Sequence, residues 1–558
     1  MAAVREAYER EGFRVLGASF SGKAAEELER GSGIKSRTLD SFLIRARLGL
    51  VKLDDRTVLV LDESGMAGSR HVHRLLKIAS KAGAKVILVG DTKQLQPIQA
   101  GSGHKIVVGS IEAETLDEIR RQKPDWVVVG EDALTEPVLG TRVEFTRHRN
   151  EIGVKQGDRA EVVDVQSISS LGSARMVTLR FNDGREMSLP ARERLWHAEA
   201  AKRIAHGEMA SAMKEFDRHG CLDASGRSAE EARDRLVEDW WKNKKPVLDR
   251  DRADSGSGVP SPSTSSVMLA YRRTDVLSLN LDAREKLKEG GYLRETALVS
   301  VLEPTDGAAI PGDRLVTLHT MSGVKGGVEE TRYFERSKEF GVGDEVLFGL
   351  NDTTLDVKNG QIGRIVGIRT DGPSPVLSVR MLAEDGTFSG RTVDVDTSVY
   401  RHMDWAYATT VHKAQGATVD RAYVFMTEGM TQELAYVASS RARWDTRFYL
   451  PKDLLKTLAR TENEAIDRRI GKSQSKIDEI RKQVESGAIG TTERTRLEKR
   501  LERLETAVAG FAAAKGREPL EIFGDRVKSK QKVTTIDYEK KRLEKNQKSL
   551  GGSPRAIG

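Results

Sequence analysis

Two apolar runs, "TVLVLDES" (57–64) and "AKVILVGD" (84–91), constrain the fold of this chain more than anything else in it. Each holds aliphatic residues without alternation and closes on an acid, and the segment between them, "HVHRLLKIASKAG", has helical spacing. Strands that are apolar on both faces occur in parallel sheets covered by helices. Groups just past their carboxyl ends face the crevice where open α/β sheets bind ligands. Asp62, Glu63 and Asp91 are therefore candidate ligand-binding carboxylates on an α/β nucleotide-binding scaffold. The opening "MAAVREAYEREGF" adds a helix stopped at Gly12, ahead of a further strand in "FRVLGAS".

Near Val127 the pattern changes. Short alternating runs, "TRVEFTRHR", "RAEVVDVQ" and "ARMVTLRFNDGREMSL", predict a small β-barrel ending near residue 192. The module recurs: "GTRVEFTRHRNEIGVKQG" (140–157) and "GDEVLFGLNDTTLDVKNG" (343–360) share Gly, Val, Phe, Val-Lys and Gly at the same offsets. Each copy closes on a turn signal, Asp183-Gly184 and Asp385-Gly386. Helical stretches and the Ser/Pro/Gly-rich linker "ADSGSGVPSPSTSS" (253–266) separate the copies. "VMLAYRRTDVLSLN", "VDRAYVFMT" and "RFYLPKD" imply a second α/β unit interrupted by the second barrel. Leu497, Leu501, Leu504, Val508 and Phe511, with Ile477, Ile480 and Val484 before them, predict a helical hairpin in the tail. The expected boundaries are 1–128 (first α/β unit, N-terminally incomplete), 129–193 (barrel), 194–252 (helical), 253–310 and 401–455 (second α/β unit), 311–400 (second barrel) and 456–558 (basic tail).

Charge and cysteine content narrow the class. The net charge is +7, and residues 451–558 alone carry 26 Lys and Arg against 17 Asp and Glu, a balance that suits nucleic acid. The single cysteine, Cys221, has no partner for an internal disulfide and is expected to be structural. No stretch is apolar and long enough to span a membrane and no secretory signal is visible, so a cytoplasmic location is expected. No histidine triad of metal-binding spacing occurs, and His71 and His73 are expected to be solvated helix residues.

The stretch "GASFSGKAA" (17–25) has the Gly and Lys spacing of a phosphate-binding loop, but Ala24 stands where such a loop needs a Mg²⁺-ligating hydroxyl. Its first glycine also falls on the end of a strand, so it is not expected to cradle phosphate. Read in order, "GKAAEELERGSGIKSRTLDSFL", "LVLDESGM", "LVGDTKQLQPIQAG", "LAYRRTDVLSLN", "YATTVHKAQGATVDRAYVF" and "AYVASSRAR" resemble the motifs of superfamily 1 helicases of the RecD-like branch. The chain is similar above all to the helicase half of conjugative transfer relaxases of the TraA/TraI type, the MobF class, over about residues 1–455.

That resemblance implies two RecA-like domains of the P-loop NTPase type with two SH3-like β-barrel insertions and a helical tail. It implies ATP-dependent 5′ to 3′ DNA translocation and unwinding in plasmid transfer, with ATP and Mg²⁺ as cofactors. Asp62 would hold Mg²⁺ through water, Glu63 would activate the attacking water and Gln94 would reach the γ-phosphate. Arg273, with Arg272 as competitor, and Arg441 would reach across from the second domain. Asp91, Arg121, Gln415 and Gly416 complete the nucleotide contacts. Ser21, Lys23, Thr38, Thr409, Thr410, His412 and Lys413 would touch DNA. Single-stranded and duplex DNA are the implied partners, with a relaxase domain or other conjugation proteins. Family members place a phosphate loop just before the counterpart of "AAVREAYERE", so the chain reads as a piece of a longer member, an internally started product or a decayed copy. The alternatives are a single-stranded DNA-binding fragment without ATP turnover and a RecD-like repair helicase.

Overall fold

In the computed structural model, the first sheet is built from β1 (Arg14–Ser19), β2 (Ser36–Thr38), β3 (Thr57–Asp62) and β4 (Lys85–Leu88), in the order β2-β1-β3-β4, all parallel. The structure describes residues 1–97, 101–115, 126–129, 138–145, 154, 157–168, 174–190, 195–254, 265–305, 313–322, 327–383, 388, 390–415, 417–485 and 490–527. Helices α1 (Ala2–Arg10), α2 (Gly22–Ser32), α3 (Leu39–Arg47), α4 (Ser69–Ala82) and α5 (Gly103–Val108) surround the sheet. β3 is central and buried on both sides. Leu59 and Leu61 pack with Phe42, Val72 and Leu75, whereas Val58 and Val60 pack with Leu28 and Ile34. This two-sided burial is the physical reason the run lacks alternation. Short polar residues start the helices: Ser21 caps α2 by accepting from Ala24 N–H, and Thr38 caps α3 by accepting from Ser41 N–H.

The first antiparallel unit is a meander of β5 (Trp126–Val128), β6 (Arg142–Phe145), β7 (Arg159–Ile168), β8 (Ala174–Phe181) and β9 (Glu186–Pro190), each strand pairing with the next. It starts at Trp126, within the range expected for the α/β unit. Its core, with Val143, Phe145, Val162, Val177, Leu179 and Phe181, is its own.

After α6 (Leu195–Ala205) and α7 (Met209–Arg218) comes a second parallel sheet. It contains β10 (Leu222–Asp223), then, after α8 (Ala229–Asp254), β11 (Ser266–Ala270), which leads into α9 (Arg273–Glu289). The chain then departs into antiparallel strands: β12 (Arg294–Pro304), β13 (Arg314–Ser322) and β14 (Gly327–Val342), followed by β15 (Glu345–Phe348), β16 (Ile362–Arg369), β17 (Val376–Met381), β18 (Thr392–Asp396) and β19 (Met403–Trp405). It returns through β20 (Ala408–Thr410), β21 (Val419–Phe425), α10 (Gln432–Ser439) and β22 (Ala442–Tyr449), giving the parallel order β10-β22-β21-β11-β20. Arg294–Pro304, expected in the second α/β unit, pairs along its length with β14, so the antiparallel excursion begins at Arg294 and closes at Trp405.

The tail has α11 (Lys452–Glu485), α12 (Thr491–Ala513) and α13 (Pro519–Arg526). Ile466, Ile477 and Ile480 of α11 are buried, and Arg481 bonds Glu505 of α12 at 2.6 Å. Cys221 is buried and forms no disulfide among the described residues. His71 departs from its expected solvated state: its side chain is 12% exposed and bonds Asp40 at 2.9 Å, because α4 packs on α3 there. The linker at 255–264, Asp385-Gly386 and residues 528–558 lie outside the described residues. No helix among the described residues is long and apolar enough to cross a membrane.

Candidate functional site

The carboxyl edge of the first sheet gathers the acids. Asp62 ends β3 and accepts from the Glu63 N–H at 2.9 Å, and burial raises the pKa of its carboxyl above the usual aspartate value. Glu63 adopts a left-handed conformation, φ 49° and ψ 36°, which is uncommon for a residue with a side chain and turns the chain sharply out of the strand. The next residue fixes that turn. Ser64 N–H and Oγ both donate to the Val89 carbonyl, at 2.9 and 2.7 Å, and Oγ lies 2.8 Å from His104 Nδ1. His104 is 4% exposed; burial lowers its pKa, against the opposing pull of Asp91 and the Gly90 carbonyl. The two loops touch so closely that a Cβ on Gly90 would stand 2.8 Å from Ser64 Oγ, and one on Gly65 3.1 Å from the Asp91 carbonyl oxygen.

Asp91 organises the neighbouring turn, accepting from Lys93 N–H at 2.8 Å and from Gln94 Nε2 at 3.4 Å. Gln94 Oε1 in turn accepts from Gln415 Nε2 at 3.3 Å, so a residue past β4 meets one past β20. Gln415 Oε1 is buried and has no hydrogen-bond partner among the described residues. Leu95 extends the same junction by packing in a core with Val411 and Ala414.

On the second sheet, Thr409 and Thr410 end the edge strand β20, and Thr410 Oγ1 accepts from Lys413 N–H at 3.3 Å. Asn280 of α9 holds this strand. Its Nδ2 donates to the Ala408 carbonyl at 3.1 Å and its Oδ1 accepts from Ala408 N–H at 2.9 Å, as a neighbouring strand would. His412 has its pKa lowered by burial, and its ring lies 6.5 Å from that of Tyr271. Arg441 is 2% exposed and donates to the carbonyls of Val437 at 3.0 Å and Ala417 at 3.3 Å. Arg273 donates to the Pro304 carbonyl at 3.1 Å and lines a cavity with Thr409 and Thr410, whereas Arg272 donates to the Glu428 carbonyl at 3.0 Å.

The structure thus brings Asp62, Glu63, Asp91, Gln94 and Gln415 to one junction and sets Arg273 with the threonines. Ser21 and Thr38 sit at helix starts on the carboxyl side of β1 and β2, their side-chain oxygens engaged as caps. Lys23 is in the first turn of α2. Arg121 and Gly416 lie outside the described residues. The "GASFSGKA" stretch has Gly17 inside β1, where a Cβ would collide with Ser36 Oγ at 2.1 Å; only Phe20 and the cap Ser21 separate strand from helix, which leaves no loop to wrap a phosphate. Ser64, His104 and Asn280 were missed from the sequence. Of these, only Asn280 carried a signal, as the one amide on the apolar face of Leu279, Ala283 and Leu287.

Residues 1–156 match the family described as the AAA domain. A probable conjugal transfer protein TraA of Sinorhizobium fredii (strain NBRC 101917 / NGR234) is 31% identical over 450 residues, covering 80% of this chain and 29% of that protein. The conjugal transfer protein TraA of Agrobacterium fabrum (strain C58 / ATCC 33970) is 30% identical over 450 residues with the same coverage. The multifunctional conjugation protein TraI of Escherichia coli (strain K12) is 31% identical over 131 residues, 22% of this chain and 7% of that one. The chain therefore spans 29% of the length of the TraA relatives. Among solved structures, Bacteroides Pif1 bound to ssDNA is 15% identical with a TM-score of 0.38, over 81% of this chain and 86% of that chain.

Proposed function

We propose, with the chain's relation to the TraA conjugal transfer proteins as premise, that it is the DNA helicase portion of a conjugation protein, moving 5′ to 3′ on single-stranded DNA at the expense of ATP. One contact carries the reading. The Gln94–Gln415 hydrogen bond joins the acid-bearing edge of the first sheet to the turn that follows Thr409 and Thr410 on the second. A nucleotide at that junction would touch both sheets, and its loss would free them to shift along the strand held by the threonines, His412 and Lys413. Ser21, Lys23 and Thr38 would hold the same strand from the first sheet. RecA-like and SH3-like architecture, and a relaxase or other conjugation proteins as partners, belong to the same proposal.

The residues present fit a Mg²⁺ ion. Asp62 is a half-buried carboxylate whose negative form is disfavoured by burial, and a cation beside it relieves that cost. Among the described residues no group of three or more His, Cys, Asp or Glu could hold a metal, which suits an ion held chiefly by substrate phosphates and water. When bound, the ion supplies charge neutralisation at the phosphates. Glu63, presented by its left-handed backbone, would orient and deprotonate the attacking water. Gln94 would donate to the terminal phosphate and Asp91 would hold Gln94 in place. Arg441 and Arg273 would stabilise charge, with Arg121, Gln415 and Gly416 as further nucleotide contacts.

A second reading, single-stranded DNA binding without turnover, is favoured by the arginines. Arg441 and Arg273 both donate to backbone carbonyls, those of Val437 and Pro304. ATP hydrolysis with and without single-stranded DNA, and displacement of duplexes with 5′ or 3′ tails, separate the readings when measured beside Glu63→Gln. Expected for the helicase are DNA-stimulated turnover that falls by on the order of 10²–10⁴ in the variant and displacement from the 5′-tailed duplex. Turnover unchanged in Glu63→Gln removes Glu63 from the chemistry. Salt-sensitive DNA binding with no turnover selects the second reading.

A further inference from the structure

The two long helices of the tail sort their charges by side. α12 turns Leu497, Leu501, Leu504, Val508 and Phe511, all half-buried, toward α11. Glu498, Glu502 and Glu505 share one flank of that seam, where Arg494 bonds Glu498 at 3.2 Å and Arg481 of α11 bonds Glu505 at 2.6 Å. The opposite flank of α12 holds Arg496, Lys499, Arg500 and Arg503, all exposed and none in an ion pair among the described residues. Arg503 stands two residues from Glu505, which puts the two on different sides of the helix. On the same side of the hairpin α11 presents Arg469, Lys472 and Lys476, likewise exposed and outside any ion pair among the described residues; Arg469 lies over the Phe511 ring at 6.0 Å, which marks the side. Because Arg481 stands level with Glu505, the two groups follow one another along the hairpin and form one stripe, roughly 25–30 Å long at about 1.5 Å per residue. Glu479 and Glu493 stand at its margins.

Such sorting works against the helices themselves. Like charges three or four residues apart destabilise a helix, and Lys472 with Lys476, Arg496 with Arg500 and Lys499 with Arg503 are all spaced in that way. A polyanion laid along the stripe relieves the repulsion. Double-helical DNA, with one negative charge per about 1.7 Å of axis, is dense enough to meet every cation in it. The rest of the face narrows the choice. Neither α11 nor α12 exposes a large apolar side chain, which an interfacial helix needs to enter a lipid surface. Their one aromatic residue, Phe511, belongs to the seam, so no ring is free to stack a base of a single strand. What remains is a row of cations on a helical scaffold, suited to evenly spaced phosphates and blind to sequence. The hairpin is rooted in the second α/β unit, since Leu455 of α11 and Phe523 of α13 share a core with Val411 and Ala414. We propose that this face of the tail binds the phosphate backbone of duplex DNA and so tethers the second α/β unit to a double helix. The inference requires neither ATP turnover nor the single-strand contacts proposed above.

The test is fluorescence anisotropy of the full chain with a labelled blunt duplex and a single strand of the same length, each titrated over a range of salt concentrations. Arg496→Gln, Lys499→Gln, Arg500→Gln and Arg503→Gln together are expected to make the slope of log K against log salt for the duplex shallower by about 3–4, and to weaken its binding at low salt by at least about tenfold. Arg469→Gln, Lys472→Gln and Lys476→Gln, with an expected change of about 2–3 in the slope, serve if the first variant fails to fold. Arg481→Gln, Lys482→Gln, Arg494→Gln and Lys515→Gln remove the same charge away from the stripe and are expected to move the slope by less than about 1. Equal losses in the stripe variant and in this charge-matched control overturn the face as a site. So does a parent chain that leaves the duplex unbound at every salt concentration, an outcome that still leaves single-strand binding to be read from the other probe. A loss as large for the single strand as for the duplex overturns the preference for double helix. Anionic phosphatidylserine vesicles or polyglutamate that bind as tightly as the duplex, and are released by the same substitutions, overturn DNA as the occupant.

Discussion

Gly140 and Gly343, both with positive φ (83° and 104°), open two stretches whose backbone hydrogen bonds correspond where both are described. Gly140 N–H donates to Val162 and Gly343 N–H to Ile365, each at 2.8 Å; Gly157 N–H donates to Phe145 and Gly360 N–H to Phe348, each at 2.8 Å. Each register shifts once, after Val162 and after Ile365. The fifth strand differs. β5 pairs with β6 from before the meander, while β19 pairs with β15 from after it.

The surroundings differ more. The Thr141 hydroxyl in the first copy donates to the nearby Val138 carbonyl, whereas its counterpart Asp344 is fully buried and accepts from Arg284 at 2.9 Å, Tyr407 at 2.9 Å and Gly341 N–H at 2.8 Å. The cross-strand pair Arg142 and Glu161 is exposed, but in the second copy its charges are reversed: Arg364 meets Glu345 at 3.1 Å, and Lys244 of α8 meets Glu345 at 2.7 Å. The second copy also shares one core with α8, α9 and the parallel sheet, while the first keeps a core of its own. One backbone is thus used once as a separate module and once as a part fused to its host. The difference lies in a few positions on one face.

The largest effects should show whether that fusion is real. Phe145→Ala and Phe348→Ala are each expected to cost about 3–5 kcal/mol, but hydrogen exchange should localise the loss to β6–β9 in the first case and spread it to α8 and α9 in the second. Equal spreading would break the contrast. Asp344→Ala leaves the buried Arg284 with Glu339, at 3.3 Å, as its remaining acidic partner among the described residues and removes the acceptor of Tyr407 and of Gly341 N–H; it is expected to cost about 3 kcal/mol in denaturant unfolding, against less than about 0.5 kcal/mol for Thr141→Ala.

A smaller effect comes from protons. Burial lowers the pKa of His402 beside the second copy and of His104 in the first α/β unit. The unfolded chain takes up these protons near pH 6.5 and the folded chain only at lower pH. Unfolding therefore binds protons, and stability is complete above pH 6.5 and falls as the pH drops below it. Thermal melts read by exchange in the second copy should move down between pH 7 and 5.5. The smallest change is expected for the exchange Arg142→Glu with Glu161→Arg, within about 0.5 kcal/mol because exposed pairs contribute little; a larger effect would mean that this face is covered after all.

How much was legible follows from these physical differences. β3 and β4 could be read directly, since burial on both faces demands an unbroken apolar run. The repeat could be read because glycines at positive φ and the inward Val and Phe admit few substitutes. β12 could not be placed, because an alternating run reveals which residues share a face and not which strand it pairs with; its partner β14 lies beyond a further strand. The orientation of Arg273 was equally hidden. Adjacent arginines at a helix start point about a quarter-turn or more apart, and only the position of Pro304 shows which of them meets the antiparallel excursion. The Ser64–His104 contact spans 40 residues with no local pattern to announce it.

Asn280 and Arg284 lie one helical turn apart on α9, the first clamped to Ala408 and the second to Asp344. The helix therefore behaves as a strut with a rigid joint at each bearing. A torque applied to the antiparallel excursion cannot be absorbed by slippage along α9. It passes instead to the edge strand β20, so Thr409 and the excursion are held at one spacing by the same helix.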